Sequence, residues 1–223
     1  MQEAVPSSVQ AVIFDFDGTL ADSYAAITAS VNHVRGLHGL GPLGIDEVKW
    51  HVGRGPDYLI QHTVGGDDVE ADVQRYRAHH PSVMQPLTHL LPGAAEALAA
   101  VQRSGRRAGV CSNKPRPFTM ALLQSLEIAS TIDVVIGPED AAHPKPAPDM
   151  LVLALQRLAV GKDAVLYVGD MTVDIQIARS AGVPVWVVPT GSDTREALER
   201  ARPDRVLRDL SELAALLERR APS

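Results

Sequence analysis

Two aspartates two residues apart, Asp15 and Asp17, stand at the end of an apolar run, Val12-Ile13-Phe14, and Gly18 follows them. The stretch from Val9 to Leu20 has the β-branched and aromatic character of a strand buried on both faces, broken by that glycine. In an extended chain residues i and i+2 project to the same side, so both carboxylates would meet at the carboxyl end of the strand. Two such charges side by side are costly unless a cation neutralises them, one partner holds its proton, or both. Asp170 and Asp174 lie four apart after another apolar run, and one helical turn between them lets both face one point. Ser112 and Asn113 fall between a strand and a helix, where a hydroxyl and nearby backbone N–H groups can grip a phosphate at the helix N-terminus. Lys145 sits among Pro144, Pro146 and Pro148, a setting more rigid than a solvated surface lysine requires.

These residues need elements that bring them to one place. The run Arg107 to Cys111 reads as a short strand before Ser112, Asp133 to Ile136 as the next, Ala164 to Val168 as the strand before Asp170, and Val183 to Val188 as the last. Helical spacing separates them, over 115–126, about 148–158 and 172–181, and Leu210, Leu213 and Leu217 line one face of an amphipathic helix over 209–219. Strands alternating with helical crossovers predict a parallel sheet covered on both faces, the α/β class, with ligands beyond the carboxyl ends of the strands. A helix is expected over 22–37, and from there to about Pro86 the pattern is helical or irregular, with helices over 45–52, 56–64 and 68–80 and no alternating strand. This stretch reads as an α-helical insert.

The chain has 223 residues, 45% of them hydrophobic and 22% charged, the composition of an ordinary soluble globular protein. A formal charge of −6 offers no basic footprint for nucleic acid. No apolar run approaches a membrane span, and residues 1–10 lack the pattern of a signal peptide. The single cysteine, Cys111, excludes an intrachain disulfide, fits a reducing cytoplasm, and reads as a core residue. A cytoplasmic location with no nucleic-acid or membrane partner is the expectation.

The string Asp15-Phe16-Asp17-Gly18-Thr19-Leu20 resembles the first signature of the haloacid dehalogenase superfamily, most of whose members are phosphatases. Ser112, Lys145 and Gly169-Asp170-Met171-Thr172-Val173-Asp174 resemble its second, third and fourth motifs, in the same order and at the family's distances. The resemblance implies an enzyme acting on a small phosphorylated metabolite, with a Rossmann-like core from residues 1–20 and 89–223 and a helical cap from residues 21–88. It implies Asp15 as nucleophile forming an aspartyl phosphate, and Asp17 as general acid and then base. Ser112, Asn113 and Lys145 would bind the phosphoryl group. Mg²⁺ would be held by Asp15, the Asp17 backbone carbonyl and Asp170, with Asp174 acting through a metal-bound water or the lysine; an excess of carboxylates over lysine suits such a hard cation. Lys114 is expected to point to solvent.

Among phosphatases the chain is similar to the phosphoglycolate phosphatase group, notably over His51 to Ile60, Ser112 to Pro115 and Tyr167 to Asp170. It departs near Pro189-Thr190-Gly191-Ser192, where that group more often carries an aromatic residue. A phosphomutase of the same fold, like β-phosphoglucomutase, and a non-catalytic binding protein are the alternatives. Dehalogenases and phosphonate hydrolases resemble the fold but lack an acid at the place of Asp17. Arg54, flanked by Gly53 and Gly55 at the start of an expected helix, is the candidate for reading a small carboxylate on the substrate, since a guanidinium binds carboxylates by paired hydrogen bonds.

Overall fold

The computed structural model describes residues 4–218. The chain opens with β1 (Ala11–Phe14), whose four residues are all fully buried, and leaves the sheet through β2 (Ala21–Asp22). Four helices follow: α1 (Tyr24–Leu37), α2 (Ile45–Lys49), α3 (Pro56–Thr63) and α4 (Val69–Val83). The chain returns through β3 (His89–Leu90) and then alternates α5 (Ala94–Arg103), β4 (Arg107–Cys111), α6 (Arg116–Ser125), β5 (Val134–Ile136), α7 (Asp149–Leu158), β6 (Val165–Gly169), α8 (Thr172–Ala181) and β7 (Val185–Val187). It ends with α9 (Arg195–Arg200), β8 (Arg205–Val206) and α10 (Leu210–Glu218).

The main sheet has the order β5-β4-β1-β6-β7-β8, and every neighbouring pair is parallel. This is the α/β sheet that the alternating pattern predicts. From β1 the chain builds outward through β4 and β5, then crosses back to place β6 on the other side, so the strand order reverses at β1. The register puts Phe14 level with both Val110 and Val168. Residues one or two positions beyond each strand therefore share one layer at the carboxyl edge, which is where the sequence has its acids and Ser112.

Alternation along the strands divides the core. Val12, Phe14, Val110 and Val168 face α5, α6 and α10, whereas Ile13, Cys111, Val165 and Tyr167 face α7 and α8. Each fully buried apolar side chain of this size contributes about 1.5–3 kcal/mol. Cys111 is a core residue, and burial pushes its thiol up to about 12. A third cluster, including Ile27, Val31, Val34, Leu59, Ile60 and Tyr76, lies within the four helices of the insert.

The predicted helices and strands are present with ends shifted by a few residues. The helix expected to stop at His80 runs through Pro81 to Val83, because a proline near the last turn forfeits one N–H while Met84 N still reaches His80 O at 2.9 Å. The helix expected from Asp22 begins instead at Tyr24. Asp22 belongs to β2, which pairs antiparallel with β3 through Ala21↔Leu90 and Asp22↔His89. Two-residue strands carry no periodicity, and β8 and α9 escaped the pattern for the same reason of shortness. Arg219, the last residue of the helix expected at the end, lies outside the described residues.

The insert rests on the carboxyl edge of the sheet. Asn113 Nδ2 donates to Gly53 O at 3.1 Å, and Lys49 Nζ donates to Thr190 O at 3.4 Å while standing 4.6 Å from the centre of the Tyr24 ring. Gly53 has φ +100°, and a Cβ there would run into the Met171 side chain, so only glycine brings this loop so close. No described helix is long and apolar enough to cross a membrane.

Candidate active site

The carboxyl edge gathers Asp15 from β1, Ser112 and Asn113 from β4, Lys145 from the loop before α7, and Asp170 and Asp174 from the β6–α8 junction. Asp15, Lys145, Asp170 and Asp174 are all buried. Burying four ionisable groups is tolerable only if they neutralise or hydrogen-bond one another. Lys145 Nζ lies 2.9 Å from Asp15 Oδ2, 2.7 Å from Asp174 Oδ1 and 3.2 Å from the Tyr167 hydroxyl. An ammonium has three donors, and these three partners use them. Burial by itself would push Lys145 toward its neutral form, but the two carboxylates outweigh it and hold the lysine protonated, above its ordinary value.

Asn113 fixes the backbone of that lysine. Its Oδ1 accepts from Lys145 N at 2.9 Å and its Nδ2 donates to Lys145 O at 3.1 Å. With Gly53 O as a further acceptor, the Asn113 side chain is fully occupied in positioning, and its backbone N–H remains as the group that can turn toward an anion. The Ser112 hydroxyl accepts from Lys114 N at 3.3 Å, and its hydrogen bond to Asp15 favours the ionised carboxylate there.

The acids have unequal surroundings. Burial pushes the Asp15 carboxyl up to about 6, with Lys145 opposing. Asp170 is raised well above the usual carboxylate range, first by burial and then by the charges of Asp174 and Asp15. Its Oδ1 accepts from the Thr19 hydroxyl at 2.5 Å, but its buried Oδ2 has no hydrogen-bond partner among the described residues. Asp174 is satisfied at both oxygens: Oδ1 by Lys145 and Tyr167, Oδ2 by the backbone N–H groups of Asp170 and Met171 at 3.1 and 3.0 Å. Asp15, Asp170 and Asp174 each offer an oxygen within 4.8 Å of the others, a buried set of hard donors that fits a divalent cation. The unpartnered oxygen of Asp170 is the atom such an ion would satisfy. Gly191 is needed beside it, since a Cβ there would occupy the space of the Asp170 carboxylate.

Asp17 stands apart from this cluster. It accepts from the Ser23 hydroxyl at 2.5 Å and pairs with Lys114 Nζ at 3.1 Å. Lys114 was expected in solvent; its side chain is only 4% exposed, and the correction follows from Asp17, whose carboxylate draws the ammonium inward. A cavity of about 40 Å³ is walled by both Asp15 and Asp17 together with Ser112, Asn113 and Lys114 from the core and by Val52, Leu59 and Tyr76 from the insert. Arg54 is not on this wall. It is exposed, donates to the Tyr58 hydroxyl at 3.2 Å and lies over that ring, so the expected reach toward the acids is absent in this arrangement. Sequence reasoning passed over Tyr167, Thr19 and Ser23. A tyrosine inside an otherwise apolar strand was the available signal, because a buried hydroxyl requires a partner.

Two outcomes follow from these charges. Lys145→Met should destabilise the fold by about 3–5 kcal/mol in urea unfolding, the usual cost of stripping one partner from a buried pair. Asp170→Asn, which removes surplus negative charge, should unfold at or above the wild-type temperature in the absence of metal. A saturating divalent cation should then raise the midpoint of the wild type, by the equivalent of about 2.7 kcal/mol at a hundredfold excess over Kd, and leave that of Asp170→Asn in place.

Comparison with known proteins agrees with this geometry. The family model for haloacid dehalogenase-like hydrolases matches residues 12–188. Phosphoglycolate phosphatase of Escherichia coli strain K12 is 32% identical over 233 aligned positions, covering 94% of this chain and 92% of the relative. The crystal structure of a haloacid dehalogenase-like hydrolase from Bacteroides fragilis superposes with a TM-score of 0.87 at 32% identity, over 92% of this chain and 99% of the other. CbbY of Rhodobacter sphaeroides, crystallised with phosphate, shares the fold with a TM-score of 0.80 at 24% identity, over 95% and 100% of the two chains. By sequence and by fold, the chain belongs to the haloacid dehalogenase-like hydrolase family.

Proposed function

We propose that the protein is a Mg²⁺-dependent phosphatase that hydrolyses a small phosphate monoester, with 2-phosphoglycolate as the substrate, and that residues 21–88 form a cap over a core of residues 1–20 and 89–223. One observation carries the reading: two chemically identical acids on the wall of one cavity have different partners, Asp15 facing the buried Lys145 and Asp17 facing Ser23 and Lys114. Different surroundings suit different roles. The names of the curated relatives support the substrate, and the apolar wall supplied by the insert supports a site that excludes water.

In the first step an Asp15 oxygen attacks phosphorus, the bond from phosphorus to the ester oxygen breaks, and Asp17 gives a proton to the leaving alkoxide. In the second, water attacks the aspartyl phosphate, Asp17 takes its proton, and Asp15 is regenerated as inorganic phosphate departs. The Ser112 hydroxyl and the backbone N–H groups of the turn after β4 hold the phosphoryl oxygens. Lys145 keeps Asp15 aimed and balances charge between it and the phosphoryl group. Asp15, Asp170 and the Asp17 backbone carbonyl would hold Mg²⁺, which when bound screens the nucleophile from the charge of its substrate. Asp174, saturated by Lys145, Tyr167 and two N–H groups, acts by orienting the lysine and the β6–α8 turn.

Phosphate release from 2-phosphoglycolate and from p-nitrophenyl phosphate tests these roles. Asp15→Asn should abolish turnover of both, because an amide is a poor nucleophile. Asp17→Asn should lower kcat for 2-phosphoglycolate by roughly 10²–10⁴-fold, the usual worth of general acid catalysis, and for p-nitrophenyl phosphate by at least about tenfold less, since a good leaving group needs little protonation. Equal losses on the two esters would remove Asp17 from the acid role. Transfer of the phosphoryl group back to a bound sugar, with no release of phosphate, would favour a phosphomutase instead.

A further inference from the structure

The wall of the cavity carries two acids and, among the described residues, one cation, Lys114. Lys145 cannot serve a second anion on the organic side of the substrate, because Asp15, Asp174 and the Tyr167 hydroxyl already take its three donors. Arg54 is exposed and lies outside the lining. The Lys114 ammonium, by contrast, meets one carboxylate, at 3.1 and 3.4 Å from the two Asp17 oxygens, and that carboxylate also has the Ser23 hydroxyl.

To the lining of the same cavity the insert contributes Ile27, Val52, Leu59 and Tyr76. His80 stacks behind Tyr76 with ring centres 5.1 Å apart; burial first, and then the charge of Lys114, pushes its imidazole down to about 2, so it adds no second cation. The Asn113 amide is fully engaged with Gly53 and Lys145. Besides Lys114, the Tyr76 and Ser112 hydroxyls are the side-chain groups this wall leaves for a polar substrate, and a cavity of about 40 Å³ favours a small occupant.

Resting on the phosphatase reading above, we propose that Lys114 is the residue that selects the substrate: its ammonium binds a carboxylate on the organic part of the ester, so the substrate class is small phosphorylated hydroxy acids. On binding, the substrate carboxylate takes the place of Asp17 against Lys114 Nζ. The Asp17 carboxyl, retained by Ser23, is then released to face the leaving oxygen. An ester without a carboxylate leaves the pair between Lys114 and Asp17 intact, and the acid stays turned toward the lysine.

The test compares 2-phosphoglycolate with ethyl phosphate, which lacks only the carboxylate. In Lys114→Met the ratio of kcat/KM for the two esters should fall by about 10- to 100-fold, the loss expected for a hydrogen bond to a charged group. A second arm needs no variant: 3-phosphonopropionate, which keeps the carboxylate and cannot be hydrolysed, should inhibit the wild type about 10- to 100-fold more tightly than propylphosphonate. A ratio in Lys114→Met within about twofold of the wild-type value, or equal inhibition by the two phosphonates, overturns the role of Lys114 while leaving the phosphatase reading standing. A wild type that releases phosphate from neither ester nor from p-nitrophenyl phosphate overturns both.

Discussion

The Lys145 ammonium, held between Asp15 and Asp174, is the charge on which the arrangement at the strand ends depends. Three buried ionisable groups would each be prohibitive as a lone charge, and an ion pair in the interior persists only when its geometry is good and its remaining valences are filled. Here they are filled: the Tyr167 hydroxyl accepts from Lys145 and lies within hydrogen-bond reach of both Asp174 and the Cys111 carbonyl, and Asn113 clamps the lysine backbone from both sides. Remove the lysine, and Asp15 and Asp174 repel across a low-dielectric gap. Keep it, and Asp15 is fixed with one oxygen on the ammonium and Phe16 N–H on the other.

The sheet makes this triad affordable to assemble. Because β1 lies between β4 and β6 in register, chain segments far apart in sequence deliver their functional residues to one edge without irregular backbone in the core. The same placement creates a surplus of negative charge: one lysine cannot balance Asp15, Asp170 and Asp174 together, and the cost appears at Asp170, whose carboxyl is raised and whose Oδ2 lacks a partner among the described residues. A buried oxygen without a hydrogen bond is a standing penalty in a folded protein, and a divalent cation among hard donors is its natural remedy. Stability at this edge and metal binding are thus two sides of one charge imbalance.

How much of this could be read from the sequence depended on how local the cause was. The core strands and helices were legible because periodicity is written within a few residues, and Asp15, Asp17, Ser112, Lys145, Asp170 and Asp174 because each stands just past such an element or in a proline-bound loop. Long-range partnerships were not. Lys114 was misjudged since its position is decided by Asp17, 97 residues away, and Thr19 finds Asp170 across 151 residues. Arg54, read from its flanking glycines as a group free to reach inward, is instead drawn outward by Tyr58 one turn later. The strands β2 and β3 were invisible because two residues hold no pattern; what makes them strands is their meeting each other.

The claim that everything converges on is that Asp15 becomes covalently phosphorylated. Acid quenching during turnover of 2-phosphoglycolate, followed by borohydride reduction and peptide mass analysis, examines that bond directly. The account predicts homoserine at position 15, formed by reduction of the acyl phosphate, with Asp17, Asp170 and Asp174 unmodified. Reduction at a different aspartate, or phosphoryl groups recovered on another residue type while product accumulates, would contradict it.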